Sequence, residues 1–400
     1  MSFGIESKQK VIHTVTILRW FDPFSPIALI IGFKFGISYY EMFLLQAIFS
    51  FTNLIGELPA GIIADRYGRG LVISLSSFFL ALAYFLFMIF PSFITWAIAE
   101  IFAGIGIAFY SGADTALLYE SCQNNKNGFY HRQEGLMQAF ARLSEGLSAG
   151  LGFIAIIDPR MPIALAFTAK IILLVICWTQ LSSSITHPST KVSTGHQSST
   201  QISLSGFLEA LRIDKQQRPK QHRVLMTTFF YAASQSIVLI NIFWMIQVTA
   251  NMIELSLIWT SMIWVLYFTL CGTTSYFISS TLKTHWRQQI IALPIISCIL
   301  LYTSISISLA YRWIPLVMFS FIYGLSMPLI NVLINQHSTQ DKRVMMHSIN
   351  TTLTRLLFVL IVPFIGYITD YVSPEAALMA LLMIAFICFF LGIRLVKIKK

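Results

Sequence analysis

The sequence predicts an all-α integral membrane protein: twelve transmembrane helices in two six-helix pseudo-repeat bundles. Three observations predict it. Of the 400 residues, 56% are hydrophobic and 11% charged, against roughly 25% charged in an average soluble domain, so there are too few charges to cover a soluble surface. Twelve apolar segments follow one another along the chain, each close to the 20 or so residues that cross a bilayer. A long polar stretch separates the first six from the last six. A soluble enzyme, a secreted disulfide scaffold and a disordered chain are excluded on composition.

The segments run over about 12–35, 41–63, 71–90, 93–120, 135–157, 161–183, 223–249, 254–280, 288–310, 313–336, 346–369 and 375–394. The first follows MSFGIESKQK and is too long and too polar at its centre for the apolar region of a cleavable leader. Residues 184–222 are rich in Ser, Thr, His, Gln and Lys and form the expected linker between bundles 1–183 and 223–400. Within it Leu204, Phe207, Leu208 and Leu211 recur at helical spacing, as in a short helix lying on the membrane surface. The five cysteines, Cys122, Cys177, Cys271, Cys298 and Cys388, are scattered, lack metal-ligand spacing and read as small packing residues.

Basic residues set the orientation. With the N-terminus in the cytoplasm, Lys8, Lys10, Arg66, Arg69, Lys126, Arg132, the Lys and Arg of the linker, Lys283, Arg287, Lys342, Arg343 and the C-terminal Arg394 to Lys400 all lie inside, whereas Lys34, Arg160 and Arg312 lie near outer ends. Both termini are then cytoplasmic. The net charge of +10 is a topology signal, because it follows alternate loops and forms no single stripe for nucleic acid. A parallel repeat is visible in outline. Trp96 precedes Gly104 and Gly106 in the fourth segment as Trp313 precedes Gly324 in the tenth; Arg142 to Asp158 in the fifth parallels Arg355 to Asp370 in the eleventh.

The most specific motif joins the second and third segments, Gly56 to Arg69 (GELPAGIIADRYGR). Gly61 allows close helix approach, Gly68 supplies turn freedom, and Asp65 and Arg69 are placed to pair with each other or with charges on neighbouring helix ends, latching one conformation. Gly61, Asp65, Arg66, Gly68 and Arg69 resemble the G-x-x-x-D-R-x-G-R loop signature of the major facilitator superfamily, and the helix count, the two halves and the central linker fit that family. Ser111 to Glu120 (SGADTALLYE) resembles the fourth-helix signature of one bacterial branch; by that resemblance Glu120 joins Asp65 and Arg69 in a conformational gate. There are departures. Glu100 stands where many drug exporters carry an arginine, no proline follows Gly146, Gly150 and Gly152 in the fifth helix, and the second-half copy of the loop motif, near Gly272 to Lys283, is degenerate.

Ionisable groups inside a bilayer are costly and mark function or a partner. Asp22, before Pro23, shares a helical face with Arg19. The resemblance makes the first helix cavity-lining and Asp22 a proton- or substrate-binding residue; the alternative is a structural Arg19–Asp22 pair at a proline kink. Asp114 and Arg142 each lie roughly 10 Å from the inner end of consecutive helices, a depth match that predicts a structural ion pair. Glu145 is then free to titrate as a second proton-coupling candidate, unless it pairs with Arg142 along its own helix. Glu57, before Pro59, reads as structural, and Lys170 as snorkelling or structurally paired. Arg355 lies about 13 Å into the eleventh helix with no acid at helical spacing, and either binds the carboxylate of an anionic substrate, or binds backbone carbonyls or reaches an inner-face acid at a gate. Asn241, Gln247, Asn331 and Asn335 add neutral polar groups to helices seven and ten, which line the cavity in the family.

These features predict a secondary active transporter of the inner (plasma) membrane, working by alternating access and coupled to protons. The expected substrate is a small organic anion, such as a carboxylate metabolite or siderophore, with proton-driven efflux of amphipathic drugs as the alternative. No cofactor, metal, nucleic-acid partner or catalytic residue is expected, and a monomer is. There is no P-loop, HExxH or GxSxG motif, and the eight histidines are dispersed.

Overall fold

A computed structural model of the protein describes residues 5–122, 129–181, 219–278, 282–338 and 343–398. Most of the linker, including the stretch expected to form a surface helix around Leu204 to Leu211, lies outside the described residues. Helix is the regular structure found, and twelve helical segments are long and apolar enough to cross a membrane. This follows from the solvent: hydrocarbon offers no partner to a backbone N–H or C=O, and a helix satisfies both within the segment.

The chain divides into two compact units, Met1–Gly36 with Ile48–Gln201, and Ile37–Ala47 with Ile202–Lys400. In the first unit the spans are built from α1 (Ile5–Trp20) with α2 (Ala28–Lys34), then α3 (Tyr39–Tyr67), α4 (Arg69–Ile89), α5 (Phe93–Tyr110) with α6 (Ala113–Cys122), α7 (Phe129–Gly150) and α8 (Met161–Ile176). Two of these spans are interrupted. Phe21 to Ile27 reads FDPFSPI; the prolines at 23 and 26 cannot donate to the helix ladder, and Pro23 disfavours an α conformation at Asp22, so α1 stops and a single 3₁₀ turn, Ser25–Ile27, leads into α2. The fourth span breaks at Ser111 and Gly112, where Gly112 takes φ +79°. Gly68 likewise takes φ +88° in the turn between α3 and α4.

α4 packs against α5, α6 and α8, and α1 packs against α6, α7 and α8. Phe24, in the break, is buried against Phe87 of α4 (ring centroids 5.4 Å) and Trp96 of α5 (5.5 Å). That aromatic nest anchors the start of α2.

The second unit comprises α9 (Pro219–Met252), α10 (Leu257–Ile278), α11 (Leu282–Ser306), α12 (Trp313–His337), α13 (Arg343–Tyr371) and α14 (Pro374–Ile398). α9 contacts α12, α13 and α14, and α12 also contacts α10 and α11. The first turns of α3 belong to this unit: the Tyr40 N–H donates to Asp370 (3.3 Å), its ring lies on Tyr367 and Tyr371, and Asn251 donates to the Tyr39 hydroxyl (2.8 Å).

The internal repeat shows in how its glycines are used. A Cβ on Gly104 of α5 would lie 2.7 Å from the Phe49 carbonyl oxygen of α3; a Cβ on Gly324 of α12 would lie 2.5 Å from the Cys271 carbonyl oxygen of α10. In each half the fourth span presses its glycine against the backbone of the second, the close approach that small residues permit in lipid. Gly61 differs from expectation: a Cβ there meets nothing within 4 Å, so no helix approaches it among the described residues. Gly324→Leu therefore overpacks a helix contact and should cost about 1–3 kcal/mol or more. Gly61→Ala should be neutral or stabilise by about 0.5–1 kcal/mol. Thermal unfolding of the two variants in detergent checks the difference.

Candidate functional site

Asp22 and Lys170 of the first unit meet at the break at residues 21–27, because a broken helix frees backbone groups at both new ends. The freed carbonyls at the end of α1 attract a cation. Lys170 of α8, 2% exposed, brings Nζ to 2.6 Å from the Arg19 oxygen, 3.0 Å from that of Phe21 and 3.2 Å from that of Leu18. The next carbonyl back, Ile17, accepts from the Phe21 N–H (2.9 Å) and from Ser144 Oγ of α7 (2.7 Å). The freed N–H groups on the other side attract an anion. Asp22 Oδ1 accepts from the N–H of Phe24 (3.0 Å) and of Ser25 (3.3 Å), while Oδ2 accepts from the Ser25 hydroxyl and from the Tyr84 hydroxyl of α4 (2.5 Å). The Asp22 N–H donates to Ser148 Oγ of α7 (3.0 Å). Three helices, α4, α7 and α8, thus supply one polar side chain each, or two, to a single interruption.

Beside this clamp lies a second cluster. The Arg19 guanidinium sits over the rings of Trp20 (4.6 Å) and Tyr110 (3.9 Å), and the Arg142 guanidinium sits over the same Trp20 (4.8 Å). Arg142 forms an ion pair with Glu145, one turn further along α7; their side chains are 32% and 21% exposed, whereas Lys170 is 2% exposed. Arg19 lies in the fields of Asp114 and Glu145 as well as that of Arg142, and Asp22 is within reach of Glu145.

Two expected pairs are not formed. Asp114 does not pair with Arg142, which is held by Glu145; the nearest cationic influence on Asp114 is Arg19. Matching depths on two helices leaves open which way each side chain points, and α6 turns Asp114 towards α1. Arg19 does not pair with Asp22 either, because the helical spacing of three residues assumes a helix that in fact ends at Trp20. Lys170 does not snorkel: its amine ends at the break. Charge counting passed it over because its partners are backbone carbonyls, which carry no mark in a sequence; the signal available was a lysine midway along an apolar helix together with two prolines in the first span.

In the loop motif Arg69 and Glu120 are 2.9 Å apart, with side chains 38% and 45% exposed. In the second unit Asn241 is fully buried on α9; its amide donates to the Ile237 carbonyl (2.7 Å), and its Oδ1 has no hydrogen-bond partner. Gln247 is also fully buried, Arg355 is half-buried, Asn331 is exposed, and Asn335 is exposed and bonds His347 (3.0 Å). Ser236 and Ile240 of α9 and Tyr323, Ser326 and Met327 of α12 line a small cavity of about 40 Å³. Among the described residues no group of three or more His, Cys, Asp or Glu is placed to hold a metal ion.

The sequence matches the family model of the Major Facilitator Superfamily over residues 14–360. The chain belongs to the major facilitator superfamily. As a member it is a multi-pass membrane transporter of the secondary type. Solved structures with the same fold include the nucleoside transporter NupG (10% identity, TM-score 0.75, covering 100% of each chain), a D-xylose-proton symporter (11%, 0.71, 97% of each) and the human organic anion transporter MFSD10 (TETRAN) (14%, 0.64, 98% of this chain and 100% of that one). At these identities the likeness establishes the superfamily fold. No curated protein sequence matches the chain.

The geometry separates two kinds of charge. Tyr84→Phe removes a hydrogen bond from a buried hydroxyl to a half-buried carboxylate and should lower stability by about 1.5–3 kcal/mol. Arg69→Ala breaks a well-exposed pair and should change stability by less than about 1 kcal/mol. Denaturant or thermal unfolding of both variants in the same detergent reads the contrast.

Proposed function

We propose that the protein moves a small organic anion across the inner (plasma) membrane, with its termini in the cytoplasm, and couples that movement to the proton gradient. The reading is carried by one observation: the Arg142–Glu145 pair of α7 is partly exposed and rests on the face of Trp20. A guanidinium binds a carboxylate bidentately, and Glu145 holds that guanidinium in the absence of substrate. Protonating Glu145 cancels its charge and releases Arg142 to a substrate carboxylate; deprotonation takes Arg142 back. Proton and anion binding then favour one another, which is what symport requires, and the two states differ in charge placement, which alternating access can use.

The two proton candidates are thereby ranked. Asp22 accepts four hydrogen bonds at the helix break, and protonating it would disturb all of them. Glu145 makes one ion pair that a substrate can replace. Asp22 is therefore assigned the holding role and Glu145 the carrier role. In the second unit Arg355, Asn331 and Asn335 are proposed as substrate contacts; Asn241 and Gln247, expected to join them, are fully buried in this structure. Gly61, Asp65, Arg66, Gly68, Arg69 and Glu120 are proposed as the gate, the Arg69–Glu120 pair being its closed latch in this conformation.

Uptake of labelled mono- and dicarboxylates into proteoliposomes, with and without an imposed pH gradient, tests the reading. The protein should accumulate one such class when the gradient is present. Glu145→Gln should abolish gradient-driven accumulation, by tenfold or more, and preserve counterflow exchange. Accumulation by Glu145→Gln at the normal rate would remove Glu145 from coupling, and proton-driven movement of amphipathic cations in place of carboxylates would replace the anion reading with drug antiport.

A further inference from the structure

The surroundings of Lys170 are those of a bound monovalent cation. Three carbonyl oxygens, from Leu18, Arg19 and Phe21, lie 2.6–3.2 Å from Nζ, the ring of Tyr84 lies 5.3 Å away, and the Asp22 carboxylate acts on the amine from the far side of the break. Rings of backbone carbonyls replace the hydration shell of alkali ions in channels, and the carbonyl ends of interrupted helices coordinate ions in transporters. Here the donor count fits an ammonium: three N–H bonds meet three carbonyls, with no fourth acceptor needed. The side chain enters from α8, an otherwise apolar helix, at a position midway along its span.

We infer that Lys170 is a tethered cation: its ammonium occupies a monovalent-cation site made by the freed carbonyl end of α1 and holds the interruption of the first span open. The wild-type protein then needs no sodium, potassium or ammonium ion at this place, whatever solute it carries. Removing the amine exposes the site, and a small monovalent cation from solution takes its place. Lys170 is thus a positioning residue, acting through the backbone of residues 17–27.

The test uses the full chain in lipid nanodiscs. Thermal unfolding and amide exchange of peptides covering residues 17–27 are measured for the wild type and Lys170→Ala in N-methyl-D-glucamine chloride and after exchange into sodium, potassium, ammonium or n-propylammonium chloride. Lys170→Ala should exchange at least tenfold faster over 17–27 in N-methyl-D-glucamine and unfold at a lower temperature, and at least one of the small cations should restore both; the wild type should respond to none. Restoration by n-propylammonium, which replaces the deleted stem and amine, would be the clearest support. Wild-type exchange in the variant, or a loss that no cation of the series restores, would overturn the site. Lys170→Gln, which keeps two N–H donors and the side-chain bulk, guards against loss of fold in the alanine variant. It should exchange two- to fivefold faster than the wild type, and exchange equal to the wild type would show that no cation is needed.

Discussion

A backbone carbonyl or N–H in the middle of a bilayer must find its partner within the protein, and at residues 21–27 the chain gives up the partners a helix would supply. Pro23 and Pro26 end α1 early and delay α2. The polar contacts at residues 17–25 answer that interruption. The negative end of α1 receives an ammonium from α8, and the positive end before α2 receives a carboxylate from within the break. Hydroxyls from α4 and α7 complete the set. A buried Lys and a half-buried Asp would each be costly alone; here each is the cap of a half-helix and lies in the field of the other. The same contacts fix which helices surround the break, so the packing of the first bundle and its electrostatics share one cause.

That constraint divides the membrane-embedded charges by task. Asp22 and Lys170 spend their hydrogen-bonding capacity on backbone, a serine and a tyrosine. Arg142 and Glu145, one helix away, hold mainly each other, on the face of an aromatic ring and only partly buried. A pair that is satisfied yet replaceable is suited to binding a ligand; a clamp that is satisfied by the fold is suited to holding a shape. Glycine contacts at 104 and 324 do for the helices what the clamp does for the break, setting the spacing at which side chains from different spans can meet.

The twelve spans were legible because hydropathy is a property of each segment by itself and needs no knowledge of neighbours. The repeat was legible at Gly104 and Gly324 for a related reason: a residue with no side chain, in corresponding places, can be matched without knowing what it touches. Direction and continuity were not legible. Asp114 and Arg142 match in depth, but depth says nothing of azimuth, and Arg142 turns along its own helix to Glu145. Arg19 and Asp22 share a face only if the helix continues past Trp20, and two prolines prevent it. Gly61 carries the motif's small residue without a helix against it among the described residues. Lys170 shows the largest gap, since a sequence displays candidate side-chain partners and its partners are carbonyls exposed by folding.

The claim on which the rest depends is that Lys170 and Asp22 are two ends of one clamp. A double-mutant cycle measures it most directly: unfolding free energies of the wild type, Lys170→Met, Asp22→Asn and the double variant, in one detergent and at one pH. Residues that hold the same break should be coupled, so the double variant should lose less than the two single losses together, by about 0.5–3 kcal/mol. Losses that add to within about 0.3–0.5 kcal/mol would mean two independent sites, and would contradict a shared clamp at the interruption of the first span.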